Sequence, residues 1–101
     1  MAPLPHRDQL LTGLRDRIAE VTVAAAARDQ AAGAVLVDVR EDAERAPGTP
    51  QGALGISRGF LELRIAEQVP DRATRVLALC GSGQRSLFAA DTLRQLGYAN
   101  V

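Results

Sequence analysis

Apolar positions along the chain fall into short continuous runs that alternate with amphipathic stretches. Residues 34–39 and 74–79 form the strongest runs and predict buried parallel strands, because they are continuous and rich in valine and leucine. Weaker runs predict two more short strands, at 21–23 and 54–57. Apolar residues at helical spacing, or in an alanine-rich run, predict helices at 7–20, 24–32, 59–69 and 87–96. Strands that alternate with helices predict an α/β domain with a mainly parallel sheet and helices on both faces.

Composition and length limit the classes of protein to which the chain can belong. Its 101 residues suit one domain, 47% of them are hydrophobic, and only 3% are aromatic, so aliphatic side chains must fill the core. The formal net charge is zero, which argues against a nucleic-acid partner. No apolar run is long enough to span a membrane and no signal-peptide core opens the chain, so we expect a cytoplasmic protein.

The amino-terminal part is expected to be an appendage of the domain. We divide the chain into a leader and helix at 1–20 and a domain at 21–101. The apolar face of the helix is expected to pack on the domain's own surface, and a partner or homodimer contact is the alternative. Residues 41–55 are expected to be irregular, because prolines and glycines interrupt them.

The single cysteine, Cys80, follows the strand predicted at 74–79 and precedes a loop that enters a helix near Ser86. Ligands of open α/β sheets bind where parallel strands end. Gly81 and Gly83 let successive N–H groups turn inward as an anion-binding nest, to which the helix adds the positive end of its dipole. A thiol in such a field is expected to have a lowered pKa and to act as a nucleophile. Arg85 adds a cation at the rim.

Charged residues elsewhere are candidates for supporting roles. Asp38 and Arg40 lie where the strand at 34–39 ends, on the same side of the sheet as Cys80. Pairing with each other or with nearby backbone is a better interpretation of them than direct catalysis. Arg58 and Glu62 are four residues apart at the start of the helix predicted at 59–69, where they can form a surface ion pair.

Several of these motifs, in this order, resemble the rhodanese (sulfurtransferase) family of the single-domain type. The resemblance covers about Val21 to Val101 and rests on the loop C-x-x-G-x-R from Cys80 to Arg85, on Leu36–Glu41, and on the tail after the loop: Ser86, Ala89, Ala90, Leu93, Leu96, Gly97 and Tyr98. It implies a doubly wound, mainly parallel sheet of four or five strands. Related domains continue with one more strand and a closing helix, whereas this chain ends where that strand begins. Arg45 also departs from the family, which has an aromatic residue there.

The resemblance also implies a site and an activity. Cys80 would be the catalytic nucleophile, and the anion-binding loop would consist of Gly81, Ser82, Gly83, Gln84, Arg85 and Ser86. Asp38, Arg40 and, at the mouth of the site, Arg58 would support it. The implied activity moves sulfur from a small anionic donor such as thiosulfate, through a Cys80 persulfide, to a thiol, to cyanide, or to a thioredoxin-like or sulfur-carrier protein. It needs no metal or organic cofactor.

Two other functions stay open at this point. Protein tyrosine phosphatases use a cysteine and an arginine around a similar anion loop, but that loop is one residue longer, C-x5-R, and no aspartate here is placed as a general acid. A non-catalytic binding or regulatory module with the same fold is the other alternative. Such modules commonly lose the cysteine, which this chain retains.

Overall fold

Helices and parallel strands alternate in the computed structural model, which describes residues 6–80 and 84–101. In chain order the elements are α1 (Arg7–Arg17), α2 (Val23–Ala31), β1 (Val35–Asp38), α3 (Asp42–Arg45), β2 (Leu54–Gly55), a 3-10 turn (Arg58–Phe60), α4 (Leu61–Gln68), β3 (Val76–Leu79) and α5 (Gln84–Gln95). Of the leader and helix expected at 1–20, residues 1–5 lie outside the described residues. The Nδ1 of His6 accepts a hydrogen bond from Asp8 N–H and caps α1.

The described strands form one parallel sheet in the order β2-β1-β3, with Val35 opposite Val76 and Val37 opposite Leu54. The α/β architecture and the parallel pairing are confirmed, but the described residues contain three strands where four or five were expected. The last residues of the chain approach the outer edge of β3, where Val76 N–H donates to Asn100 O at 2.9 Å.

The strand predicted at 21–23 is wrong, because these residues begin a helix. The side chain of Thr22 accepts a hydrogen bond from Ala25 N–H and caps α2, and Val23 is its first residue, 88% exposed. A threonine oxygen that satisfies an unpaired helical N–H favours helix entry over a short extended run. The irregular stretch expected at 41–55 likewise contains α3, a single helical turn.

Side chains alternate in direction along the strands, so apolar residues lie on both faces of the sheet. Val37, Val39 and Val76 face the main core, which α1, α4 and α5 complete. Leu36 and Leu77 face the opposite side and pack with Ala26 of α2. The expected helices on both faces are therefore present.

Helix α1 packs on the domain itself, as favoured from its sequence. Leu11, Leu14 and Ile18 are buried in the main core, and Arg94 of α5 donates to Arg17 O at 2.7 Å. This packing places the end of α1 beside α5 and the outer edge of β3. Within residues 6–80 and 84–101, every helix is too short or too polar to cross a bilayer.

Candidate active site

Cys80 directly follows β3, and its half-buried side chain packs against the main core. Ser86 N–H donates to Cys80 Sγ at 3.3 Å, and the Cys80 S–H donates to Ser86 Oγ at 3.5 Å. Because α5 begins at Gln84, the N–H of Ser86 belongs to the first turn, whose N–H groups have no partner inside the helix. The sulfur therefore lies at the positive end of α5. The loop residues Gly81, Ser82 and Gly83 lie outside the described residues.

The side chain of Arg85 forms an ion pair with a carboxylate of another helix, α3. Its Nη1 and Nη2 donate to Glu44 Oε1 at 2.5 Å and to Oε2 at 2.8 Å, which makes a two-pronged ion pair between α5 and α3. The hydrogen bonds from Arg85 lower the pKa of Glu44 to about 2, and the same pairing raises the pKa of Arg85. The arginine expected to attract an anion is thus already neutralised by a protein group.

Asp38 and Arg40 form a second ion pair, at the end of β1. The side chain of Asp38 is fully buried and accepts from Arg40 N–H at 3.0 Å, from Arg40 Nη2 at 2.8 Å and from Thr49 Oγ at 2.8 Å. Burial acts to raise the pKa of Asp38, but the hydrogen bonds from Arg40 and Thr49 outweigh it, so the pKa lies below its ordinary value. The carboxylate is therefore charged at neutral pH.

Arg40 also ties the following loop to the sheet. Its guanidinium donates to Gly48 O at 3.0 Å and to Glu44 O at 3.4 Å. The position of α3, and with it that of Glu44, is therefore set from the end of β1.

Arg58, which the resemblance places at the mouth of the site, is bound by residues of α4 and α5. It pairs with Glu62 at 2.5 Å, as the four-residue spacing predicted, and donates to Thr92 Oγ at 2.8 Å. Within the described residues these bonds join the 3-10 turn to α4 and to α5, and none of them reaches Cys80.

Arg45 occupies the position where the resemblance expects an aromatic residue. It donates to Arg40 O and Ser57 Oγ, each at 3.1 Å, and forms an ion pair with Asp42. Its guanidinium lies over Gly55, where an added Cβ would be 1.6 Å from Nη1. The arginine therefore closes this end of β2 with polar contacts, and a side chain at position 55 would displace its guanidinium.

A cavity of about 350 Å³ runs along β3 and has Cys80 among its lining residues. Ile18 and Val21, from the segment after α1, line one side, and Leu87 and Ala90 of α5 line another. Cys80 is thus open to a cleft of mixed polar and apolar lining, to which Arg15, Glu20 and Arg75 also contribute.

The sequence model of the rhodanese-like domain matches residues 22–101. The chain belongs to the rhodanese-like domain family. This match spans β1, β3, α5 and Cys80, so the elements that build the site are those of the family.

Relatives and solved structures agree with this assignment. The chain is 39% identical over 67 residues to a sulfurtransferase of Allochromatium vinosum, and 46% identical over 39 residues to a rhodanese-like domain-containing protein of Arabidopsis thaliana. These matches cover 66% and 39% of this chain but only 61% and 18% of the relatives, so the chain spans less than two thirds of either one.

Two solved structures share the rhodanese-like fold over most of the chain. A Rhodopseudomonas palustris protein of unknown function, described as a possible tyrosine phosphatase, superposes with a TM-score of 0.80 at 26% identity over 98% of this chain and 83% of that one. The human single-domain sulfurtransferase TSTD1 superposes with a TM-score of 0.68 at 29% identity over 79% of this chain and 82% of that one.

Glu44 and Thr49 are site-forming residues that sequence reasoning missed. One signal was available for Glu44: it stands three residues after Glu41, the spacing of a capping box, just beyond a predicted strand. No local pattern marks Thr49 as a partner of Asp38, because that hydrogen bond spans eleven residues of a loop rich in proline and glycine.

Proposed function

We propose that this rhodanese-like chain is a sulfurtransferase that carries sulfur as a persulfide on Cys80. The position of the Cys80 sulfur supports this most directly: it lies at the amino end of α5, with Ser86 N–H directed at it and an open cleft beside it. The same field that stabilises a thiolate stabilises the terminal sulfur of a persulfide, since both carry one negative charge. The sulfurtransferase names of one curated relative and of one solved structure support the same activity.

The first half-reaction consumes a donor such as thiosulfate. The Cys80 thiolate attacks the outer sulfur, a new S–S bond forms, and the bond between the two donor sulfurs breaks. Sulfite leaves with the electron pair of the broken bond, and Cys80–S–S⁻ remains. A thiolate needs no neighbouring general base for this attack, and inward N–H groups stabilise the charge that moves onto the transferred sulfur.

The second half-reaction returns the enzyme to its starting state. A thiophilic acceptor attacks the terminal sulfur, and the electron pair of the S–S bond returns to Cys80 as a thiolate. With cyanide the product is thiocyanate; a thiol, a thioredoxin-like protein or a sulfur-carrier protein would take the sulfur in the same way. We place the reaction in the cytoplasm, where a lone thiol is kept reduced.

Intact mass spectrometry tests the intermediate, and thiocyanate formation tests turnover. After thiosulfate treatment the wild type should gain the mass of one sulfur atom, lose it on reduction, and produce thiocyanate when cyanide is added. Cys80→Ser should do neither. A folded wild-type protein that shows neither the mass gain nor thiocyanate would rule out the persulfide mechanism and favour a binding module.

A phosphatase is the second candidate, because the Rhodopseudomonas palustris structure that covers most of this chain is described as a possible tyrosine phosphatase. The loop from Cys80 to Arg85 is one residue shorter than the phosphatase pattern C-x5-R. Arg85, the cation that would bind phosphate, is paired with Glu44. Release of phosphate from an aryl phosphate by the wild type but not by Cys80→Ser, without the gain of sulfur mass, would favour this candidate.

A further inference from the structure

The ion pair between Arg85 and Glu44 joins parts of the chain that are 41 residues apart. Arg85 precedes Ser86, whose N–H reaches the sulfur, so the guanidinium is anchored one residue from the contact that defines the site. Two parallel N–H···O bonds fix the orientation of an arginine as well as its distance. The pair is therefore placed to hold the first turn of α5.

Glu44 is held independently of Arg85. Its carboxylate Oε1 accepts from Glu41 N–H at 3.1 Å, the return bond of the capping box of α3. Its backbone carbonyl accepts from Arg40, which the buried Asp38 holds in turn. Because Glu44 is anchored at its carboxylate and at its backbone carbonyl, it is a fixed support for Arg85 rather than a mobile counter-ion.

We propose that Glu44 is a positioning residue that acts through Arg85 to hold the first turn of α5 against the sulfur of Cys80. This inference deepens the proposed function and rests on it for its turnover readout. The electrostatics agree with the placement: the hydrogen bonds to Glu44 are the main cause of the raised pKa of Arg85, and the negative charge of Cys80 adds to them, so the guanidinium and the sulfur act on each other. Loss of Glu44 frees Arg85 and loosens Ser86, which weakens the stabilisation of the thiolate.

A double-mutant cycle tests this role with wild type, Glu44→Gln, Arg85→Gln and the double variant. The first readout is kcat/KM for thiosulfate, and the second is the pH profile of Cys80 alkylation by iodoacetamide, which needs no sulfur transfer. Each single substitution should lower kcat/KM about tenfold and slow alkylation at neutral pH, within the range of coupled neighbours. In the Arg85→Gln background, Glu44→Gln should change either readout by less than about twofold.

Glu62→Gln is the matched control, because it removes a carboxylate of similar exposure from another arginine pair, Arg58–Glu62. It should leave both readouts unchanged. If the fold-changes of the two single variants multiply in the double variant, the inference is overturned, since Glu44 would then act independently of Arg85. An increase of kcat/KM in Glu44→Gln would also overturn it, since Glu44 would then compete with the donor. If the wild type transfers no sulfur, the proposed function fails, while the alkylation cycle still decides the role of Glu44.

Discussion

The hydroxyl of Ser86 offers a selective way to perturb the candidate nucleophile. It lies 3.5 Å from Cys80 Sγ, while the N–H of the same residue donates to that sulfur at 3.3 Å. Ser86→Ala removes the hydroxyl and keeps the N–H, so the end of α5 stays in place. In the thiol form the S–H donates to the hydroxyl, and in the thiolate form the hydroxyl can rotate and donate to the sulfur. The substitution therefore acts mainly on the thiolate.

The size of the effect follows from this geometry. A hydrogen bond to a charged group contributes roughly 1.5–3 kcal/mol, and a contact as long as this one belongs at the lower end. Since 1.36 kcal/mol corresponds to a factor of ten, Ser86→Ala should raise the pKa of the Cys80 thiol and move the midpoint of alkylation upward by about one pH unit. At a fixed pH below the midpoint, alkylation and kcat/KM for thiosulfate should each fall about tenfold.

Iodoacetamide alkylation, followed by intact mass across a pH series, measures this midpoint directly. Ser86→Thr is the matched control, because it retains a hydroxyl at the same position, and it should stay within about threefold of the wild type. Thermal unfolding of each variant checks that the fold is kept. A Ser86→Ala midpoint that coincides with that of the wild type would refute the reasoning, since the hydroxyl would then contribute nothing to the stability of the thiolate.

Two further predictions concern the charged groups that support the site. Arg40→Met should lower the urea midpoint of unfolding strongly, because it leaves the buried carboxylate of Asp38 without its cation. Arg28→Met, on the exposed side of α2, is the control and should leave the midpoint nearly unchanged. Equal midpoints for the two variants would contradict this prediction. Because the pKa of Glu44 falls from 4.5 to about 2 in the folded state, its stabilising effect is complete above about pH 4.5 and is lost as the pH falls towards 2. The difference in Tm between wild type and Glu44→Gln should therefore shrink over that range, with Glu67→Gln as the control; a difference that stays constant or grows on acidification would count against the ion pair.

Local sequence patterns were sufficient to predict two of the strands and the helix that follows Cys80. The continuous branched runs predicted β1 and β3, and the glycine-containing loop before an amphipathic stretch predicted α5 and the position of Cys80 at its start. These signals lie within a few residues of the elements they define. The same holds for the ion pair between Arg58 and Glu62, which needs only a spacing of four across the 3-10 turn and the start of α4.

The predictions that failed have a common physical cause: a specific contact outweighs a weak local preference. The run Val21–Val23 has the composition of a strand, but a single hydrogen bond from Ala25 N–H to the side chain of Thr22 makes it a helix start. Arg85 has the position expected of a free cation, but Glu44 binds it from 41 residues away. A local sequence pattern cannot reveal such a partner, because Glu44 becomes a neighbour of Arg85 only when β1 and β3 pair.

The pairing of β1 with β3 is therefore what assembles the site. It brings the end of β1, with Asp38, level with Leu79, the residue before Cys80. A buried ion pair such as Asp38–Arg40 adds little net stability, because desolvation of its charges offsets their attraction. Its effect here is geometric: it fixes the chain that leaves β1, so that α3 lies across from the amino end of α5. On this reasoning, a hydrophobic pair of similar volume at positions 38 and 40 can preserve the fold and still lose the alignment of Glu44 with the cysteine loop.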